Sequence, residues 1–246
     1  MASKVRRFFY TNQAAADADA AASSTESHAV SLLSGPPSCG KTSLLFQFAY
    51  NRALRSDSDD VPAVVFICNR RRLEANPPFL SQGIDPSSGV FGRIQMKYVE
   101  DDEAVKKYFA AFHLHESFPA AVIIDDFGEL FDERNCQEKY ANPRGRDLAM
   151  VRTLALCRNA VMHASKKGQC ETLLADTHHG DSPRLLYIYK RWVSSIFTIK
   201  GDGCGSFLLS SSSKTGNGNS IKRETAKYSI ALQYLSLEAV DDDSEQ

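Results

Sequence analysis

Apolar residues along the chain alternate between short unbroken runs and longer stretches at helical spacing. The run from His28 to Leu33 stops at Gly35, as a buried strand does. Lys41 to Leu54 carries Leu44, Leu45, Phe48 and Leu54 near helical spacing, which predicts a helix. Val61 to Cys68, rich in β-branched residues, predicts a second strand, and Arg93 to Val99 a third. Asp101 to His115 predicts a helix with Asp101 or Asp102 capping its start. Ala120 to Asp125, almost wholly apolar, predicts a fourth strand. Asp147 to Lys166 predicts a long helix, with Leu148, Val151, Leu154, Leu156 and Val161 on its apolar side. Glu171 to Ala175 predicts a fifth strand. Ser194 to Lys200, Gly205 to Ser211 and Tyr228 to Ala239 then follow as consecutive strands.

Strands that alternate with helices and are apolar on both faces imply a mainly parallel central sheet flanked by helices. The closing run of strands implies an antiparallel extension at one edge. This is one α/β domain over residues 28–240. Residues 1–27 read as a flexible N-terminal segment, because 11–28 are rich in Ala, Asp, Ser and Thr and lack an apolar face. Ser210 to Ser220 reads as a loop, and residues 241–246, with four acids, as a solvated acidic tail.

Composition narrows the partners. The chain has 246 residues and a net charge of -1, so any contact with nucleic acid must rest on a local basic patch. No apolar stretch reaches the roughly 18 residues a membrane span needs. Cys39, Cys68, Cys136, Cys157, Cys170 and Cys204 share no C-x-x-C spacing, which predicts reduced thiols in a cytosolic or nuclear protein. Lys4, Arg6 and Arg7 precede an aromatic run, but Asp17, Asp19 and Glu26 argue against a transit peptide.

The chemistry-bearing motif is Gly35-Pro36-Pro37-Ser38-Cys39-Gly40-Lys41-Thr42, which fits G-x-x-x-x-G-K-[ST] without a mismatch, with a strand before it and a helix after it. In such a loop glycines permit backbone angles closed to other residues, so that successive N–H groups converge on phosphate oxygens. The positive end of the following helix adds to this. Lys41 is placed to reach the β- and γ-phosphates, and Thr42 to offer its hydroxyl to Mg²⁺. The expected ligand is ATP with Mg²⁺, bound by Gly35 to Ser43. Cys39, at a helix start, has either a lowered thiol pKa or the plainer task of filling the loop. The strand Ala121-Val122-Ile123-Ile124 ends in Asp125-Asp126. An acid there can hold Mg²⁺, and Asp125 is the candidate. Asp126, and less directly Glu129, are candidates for orienting the attacking water.

The order of elements resembles the RecA-like recombinase core over residues 28–240. Three segments resemble the SWIM-domain-associated ATPases more closely, a family of divergent recombinase paralogues in Shu-like complexes. They are Gly35 to Phe46, Val65-Phe66-Ile67-Cys68-Asn69-Arg70-Arg71 and Arg93-Ile94-Gln95-Met96-Lys97-Tyr98. The resemblance implies a RecA-like P-loop NTPase core, ATP binding and single-stranded DNA binding. It also implies a SWIM-type zinc-finger partner, support of recombinase filaments in homologous recombination, and a nuclear site of action. One departure bears on activity. RecA-like enzymes carry a water-polarising Glu in the turn after the second strand, and here that turn reads Cys68-Asn69-Arg70-Arg71-Arg72. Either Asp126 substitutes or hydrolysis is slow. Thr177, His178 and His179 stand where such proteins place a γ-phosphate sensor, and neighbours on an extended chain point opposite ways.

Basic residues cluster at Arg70-Arg71-Arg72, Arg144 with Arg146, Lys166-Lys167 and Lys190-Arg191-Trp192. The last combines cations with an aromatic, a pairing suited to single strands, although Trp192 also suits packing. Lys166-Lys167 suits the carboxyl end of a helix. The segment from Gly180 to Arg184, where RecA-like proteins carry a DNA-binding loop, is short. Three functions follow from these readings: a recombinase-paralogue ATPase with weak hydrolysis, a P-loop kinase or other metabolic NTPase, and a nucleotide-binding pseudo-ATPase scaffold.

Overall fold

A computed structural model describes residues 4–9, 30–55, 63–132, 134–168, 170–180, 185–214 and 221–244. Most of the Ala- and Asp-rich lead-in, the stretches 181–184 and 215–220, and residues 245–246 lie outside the described residues.

The strands are β1 (Val30–Gly35), β2 (Val64–Cys68), β3 (Ile94–Tyr98), β4 (Ala121–Ile124), β5 (Glu171–Thr177), β6 (Ser195–Gly201), β7 (Ser206–Lys214), β8 (Ile221–Ala231) and β9 (Tyr234–Ser244). They form one sheet in the order β3-β2-β4-β5-β1-β6-β7-β8-β9. The first six in that order run parallel, and β7, β8 and β9 extend the sheet antiparallel. The helices are α1 (Lys41–Leu54), α2 (Arg70–Ala75), α3 (Asp102–Ala110), α4 (Arg134–Lys139), α5 (Pro143–Ala164) and α6 (Leu186–Trp192).

Strand alternation divides the core in two. Leu33, Phe66, Ile123 and Leu173 face α1, while Leu32, Val65, Val122 and Leu174 face α3 and α5. β1, β2 and β4 are buried along their whole length, as central parallel strands covered on both sides must be. Connections toward the β3 edge run over the α1 face. Those in the opposite direction run over the other face, so the crossovers keep one hand. The helix caps follow from local chemistry. Asp101 accepts the Ala104 N–H at 3.0 Å, and Asn142 accepts the Gly145 N–H at 2.7 Å ahead of Pro143 in the first turn of α5.

The structure corrects several expectations. The N-terminal segment is not wholly a lead-in: Val5, Phe8 and Phe9 are buried. The Phe8 ring lies 5.0 Å from that of Phe197, and Phe9 lies 5.7 Å from Tyr228. The Asn51 amide donates to Arg7 O and Phe9 O, and Arg7 pairs with Glu171 at 2.6 Å. Ser210 to Lys214 belongs to β7 rather than to a loop, because each residue pairs with β8. Asp241 to Ser244 is not a tail, since these residues complete β9 against Lys222 to Thr225. Arg70 to Arg72 opens a helix, not a turn, with the Asn69 side chain accepting the Arg72 N–H. The long helix starts at Pro143, so Arg144 and Arg146 lie inside its first turns and not ahead of it. Leu148, expected on the apolar side, is exposed. Trp192 packs against the core that α5 covers.

Phe8→Ala is expected to destabilise the chain by about 3–5 kcal/mol, because the side chain sits in a closed aromatic cluster. A urea midpoint unchanged from wild type, with an unchanged m-value, contradicts that packing role.

Candidate functional site

Two pairs of neighbouring strands send their chains to opposite faces at their carboxyl ends. From β1 the chain goes to α1, and from β5 to α6 on the other face. β2 leads to α2, whose Leu73 packs with the α1 face, while β4 leads to the 3₁₀ turn Phe127–Phe131 on the opposite face. Open α/β sheets bind ligands in the crevices such divergence creates. The motif residues and the paired acids both lie there.

Gly35 closes β1, and Gly40 stands immediately before α1. A Cβ on Gly35 would lie 2.6 Å from Cys39 Sγ and 2.9 Å from Ile199 Cβ. Gly40 has φ +80°, and a Cβ there would lie 2.1 Å from Ile230 Cδ1. Ser38 also takes a left-handed conformation, with φ 58°. Pro37 and Ser38 are exposed, and Cys39 is buried. Burial pushes the Cys39 thiol above its ordinary pKa although Lys41 pulls the other way, so Cys39 fills the loop and is not a reactive thiolate. The Tyr228 hydroxyl donates to Cys39 O at 2.6 Å and fixes β8 against the turn.

Lys41 is buried and folds back over the turn. Its Nζ donates to Pro36 O at 2.9 Å and to Gly35 O at 3.2 Å. Gly35 O also accepts the His178 N–H at 3.1 Å, so that carbonyl keeps a partner if Lys41 turns outward. Thr42 Oγ1 donates to Asp125 Oδ2 at 2.7 Å. The Ser43 hydroxyl accepts the Phe79 N–H at 2.9 Å, which ties the start of α1 to the segment after α2.

Asp125 is buried beyond the last residue of β4, and its N–H continues the ladder to Ile67 O at 2.9 Å. Its second oxygen accepts the Asp126 N–H at 3.0 Å. Burial, with the charge of Asp126 added, raises the Asp125 carboxyl to about 6, and the Thr42 hydrogen bond offsets part of this. Asp126 takes a left-handed backbone conformation, with φ 48°. Arg72 Nη1 reaches Asp126 at 3.5 Å and Glu129 at 3.7 Å. Arg70 points elsewhere, to Glu74 at 2.7 Å and over the Tyr98 ring at 5.4 Å.

The segment after β5 resolves the paired histidines. His178 is buried with Nδ1 2.7 Å from Ser34 Oγ, and His179 is exposed. Sequence reasoning missed Asp176, a buried acid that accepts the Tyr189 hydroxyl at 2.7 Å and the Thr177 N–H at 2.9 Å. Gly128 lies against its carboxylate, where a Cβ would come within 2.1 Å of Oδ1. The available signal was a single acid directly after the apolar run Leu173-Leu174-Ala175. A cavity of about 190 Å³ opens beside Asp176, lined by Gly128, Asp132, Arg146 and Asp147. The larger cavity, about 260 Å³, lies between α3 and α5, away from all these groups. Lys190 and Arg191 are exposed at the end of α6.

Among the described residues, no three His, Cys, Asp or Glu side chains are grouped to hold a metal ion by themselves. Thr42 and Asp125 fit the other mode, in which one hydroxyl and one carboxylate share Mg²⁺ with ligand phosphates and water. No helix of the described residues is long and apolar enough to cross a membrane. The chain matches no protein-family model and no curated protein.

Asp125 is neutral in the fold below about pH 6 and charged above it, whereas in the unfolded chain it is charged from about pH 4. The fold therefore binds the extra proton, and this group makes stability fall as pH rises from about 4 to 6. Asp125→Asn is expected to raise the melting temperature of the ligand-free chain at pH 7.5 and to leave it nearly unchanged at about pH 3, below both values. A melting temperature lowered at both pH values contradicts the account.

Proposed function

We propose that the chain binds ATP with Mg²⁺ in the crevice at the carboxyl ends of β1 and β5, as a RecA-like P-loop protein. The observation that carries this reading is the contact between Thr42 and Asp125, which joins the end of the phosphate-loop motif to the acid after β4 across the intervening strand β5. In that role the backbone N–H groups of the Gly35–Thr42 turn and of Ser43 cradle phosphate oxygens, and Lys41 exchanges its two carbonyl partners for them. Thr42 and Asp125 hold Mg²⁺, which would supply charge neutralisation at the β- and γ-phosphates. Asp126, next to Asp125, is the candidate for ordering the water, and Glu129 the weaker one.

We further propose that this nucleotide site serves homologous recombination, with a SWIM-type zinc-finger protein, a recombinase filament and single-stranded DNA as partners, in the nucleus. The support is the resemblance of the segments at Gly35, Val65 and Arg93 to the SWIM-domain-associated ATPases. Hydrolysis in this reading is slow, and binding is the firmer activity. A nucleotide-binding scaffold without turnover is the second reading. It is favoured by the pairing of Arg72 with both candidate water-orienting acids.

Lys41→Ala is expected to weaken binding of a non-hydrolysable ATP analogue by at least about tenfold, because the β/γ-phosphate charge loses its counter-ion. Unchanged affinity refutes the site. ATP hydrolysis that rises with single-stranded DNA and the zinc-finger partner, and is lost in Lys41→Ala, supports the recombination reading. Phosphoryl transfer to a small molecule sinks it. Binding without turnover, even with DNA and the partner present, selects the scaffold.

A further inference from the structure

We propose that Arg72 is a restraining residue, which holds Asp126 and Glu129 in ion pairs and thereby keeps turnover at the site slow. The inference rests on the nucleotide reading above and deepens it.

The geometry isolates Arg72 from its neighbours in the basic run. Arg70 is taken up by Glu74 and the Tyr98 ring, on the outer side of α2. Arg72, three residues from the Asn69 cap, crosses from the end of β2 to the end of β4 and reaches two carboxylates. Asp126 follows directly on Asp125, the acid in contact with Thr42, and Glu129 lies in the 3₁₀ turn that comes next. The Asp126 N–H donates to the Asp125 carboxylate, which keeps the two acids side by side.

Hydrolysis at this site forms a bond from the water oxygen to the γ-phosphorus and breaks the bond to the β-phosphate oxygen. The water proton passes to a carboxylate that is free to accept it. A carboxylate held beside a guanidinium has its lone pairs directed at the cation and not at a water. With Asp126 and Glu129 both paired to Arg72, neither is free. Both ion pairs are partly exposed to solvent, so the restraint is modest and reversible. No residue of α2 is fully buried, and the helix meets the core through the half-buried Leu73.

The test uses the full chain and three variants, Arg72→Met, Arg72→Lys and Arg72→Met with Asp126→Asn. Affinity for a non-hydrolysable ATP analogue and kcat for ATP are measured on each. Arg72→Met is expected to raise kcat about tenfold while analogue affinity changes by less than about twofold, because the substitution frees a base without touching the phosphate cradle. Arg72→Lys, which keeps the cation, is expected to stay slow, an outcome that a purely structural role for Arg72 does not predict. The double variant is expected to lose the gain. An Arg72→Met kcat equal to or below that of wild type, with affinity retained, overturns the restraint alone. A gain retained in the double variant overturns it too. If the wild-type chain binds no analogue, the nucleotide reading fails first and the restraint falls with it.

Discussion

The carboxyl edge of the sheet depends on how tightly the chain can turn between β1 and α1. Gly35 must pass under Cys39 and Ile199, and Gly40 must pass under Ile230, with no room for a Cβ at either point. Only glycine meets the second demand, since φ there is also left-handed. The turn is thereby pressed against β6 and β8, and the Tyr228 hydroxyl bonds its carbonyl at Cys39. A loop confined in this way holds its backbone N–H groups in fixed directions, which is the preorganisation that anion binding needs. The antiparallel strands β7 to β9 are therefore more than an edge extension, because β8 forms one wall of the site.

Electrostatics at the same edge are poised and not minimised. Asp125 is buried beside Asp126, an arrangement that costs the ligand-free fold stability at neutral pH and favours a cation. Lys41 lies on two loop carbonyls, and Thr42 lies on Asp125, so each group proposed to meet the nucleotide and its metal has an internal partner. Asp176, on the opposite face of β5, is satisfied by Tyr189 and by backbone and needs no such partner. This contrast separates a structural acid from one that can be drawn into binding.

Much of this was legible in the sequence, and the exceptions have physical causes. β1, β2 and β4 read correctly because strands buried on both faces must be continuously apolar. The places of the motif after β1 and of Asp125 after β4 were legible because spacing relative to a strand is local. Ser210 to Lys214 and Asp241 to Ser244 did not, because strands near an exposed edge tolerate polar sequence and their pairing is not a local property. Phe8 and Phe9 were set aside with a polar segment, since two aromatics give no period to detect. Arg70 to Arg72 reads as a turn in sequence because its helix buries no residue fully and has no apolar stripe. Leu148 was placed on the buried side by spacing alone, and it is exposed in the second turn of α5. Tyr228 and Ile230 lie about 190 residues from the turn they close against, and no local signal reaches that far.

The central claim is that Thr42 and Asp125 share a divalent cation with nucleotide phosphates. A crystal of the chain grown with Mn²⁺ and a non-hydrolysable ATP analogue tests it most directly, with anomalous scattering locating the metal. The account predicts one Mn²⁺ about 2.1 Å from Thr42 Oγ1, bound to Asp125 directly or through one water, with the analogue's phosphates under the Gly35–Thr42 turn. Analogue bound elsewhere, or metal bound elsewhere while the Thr42–Asp125 hydrogen bond persists, contradicts it.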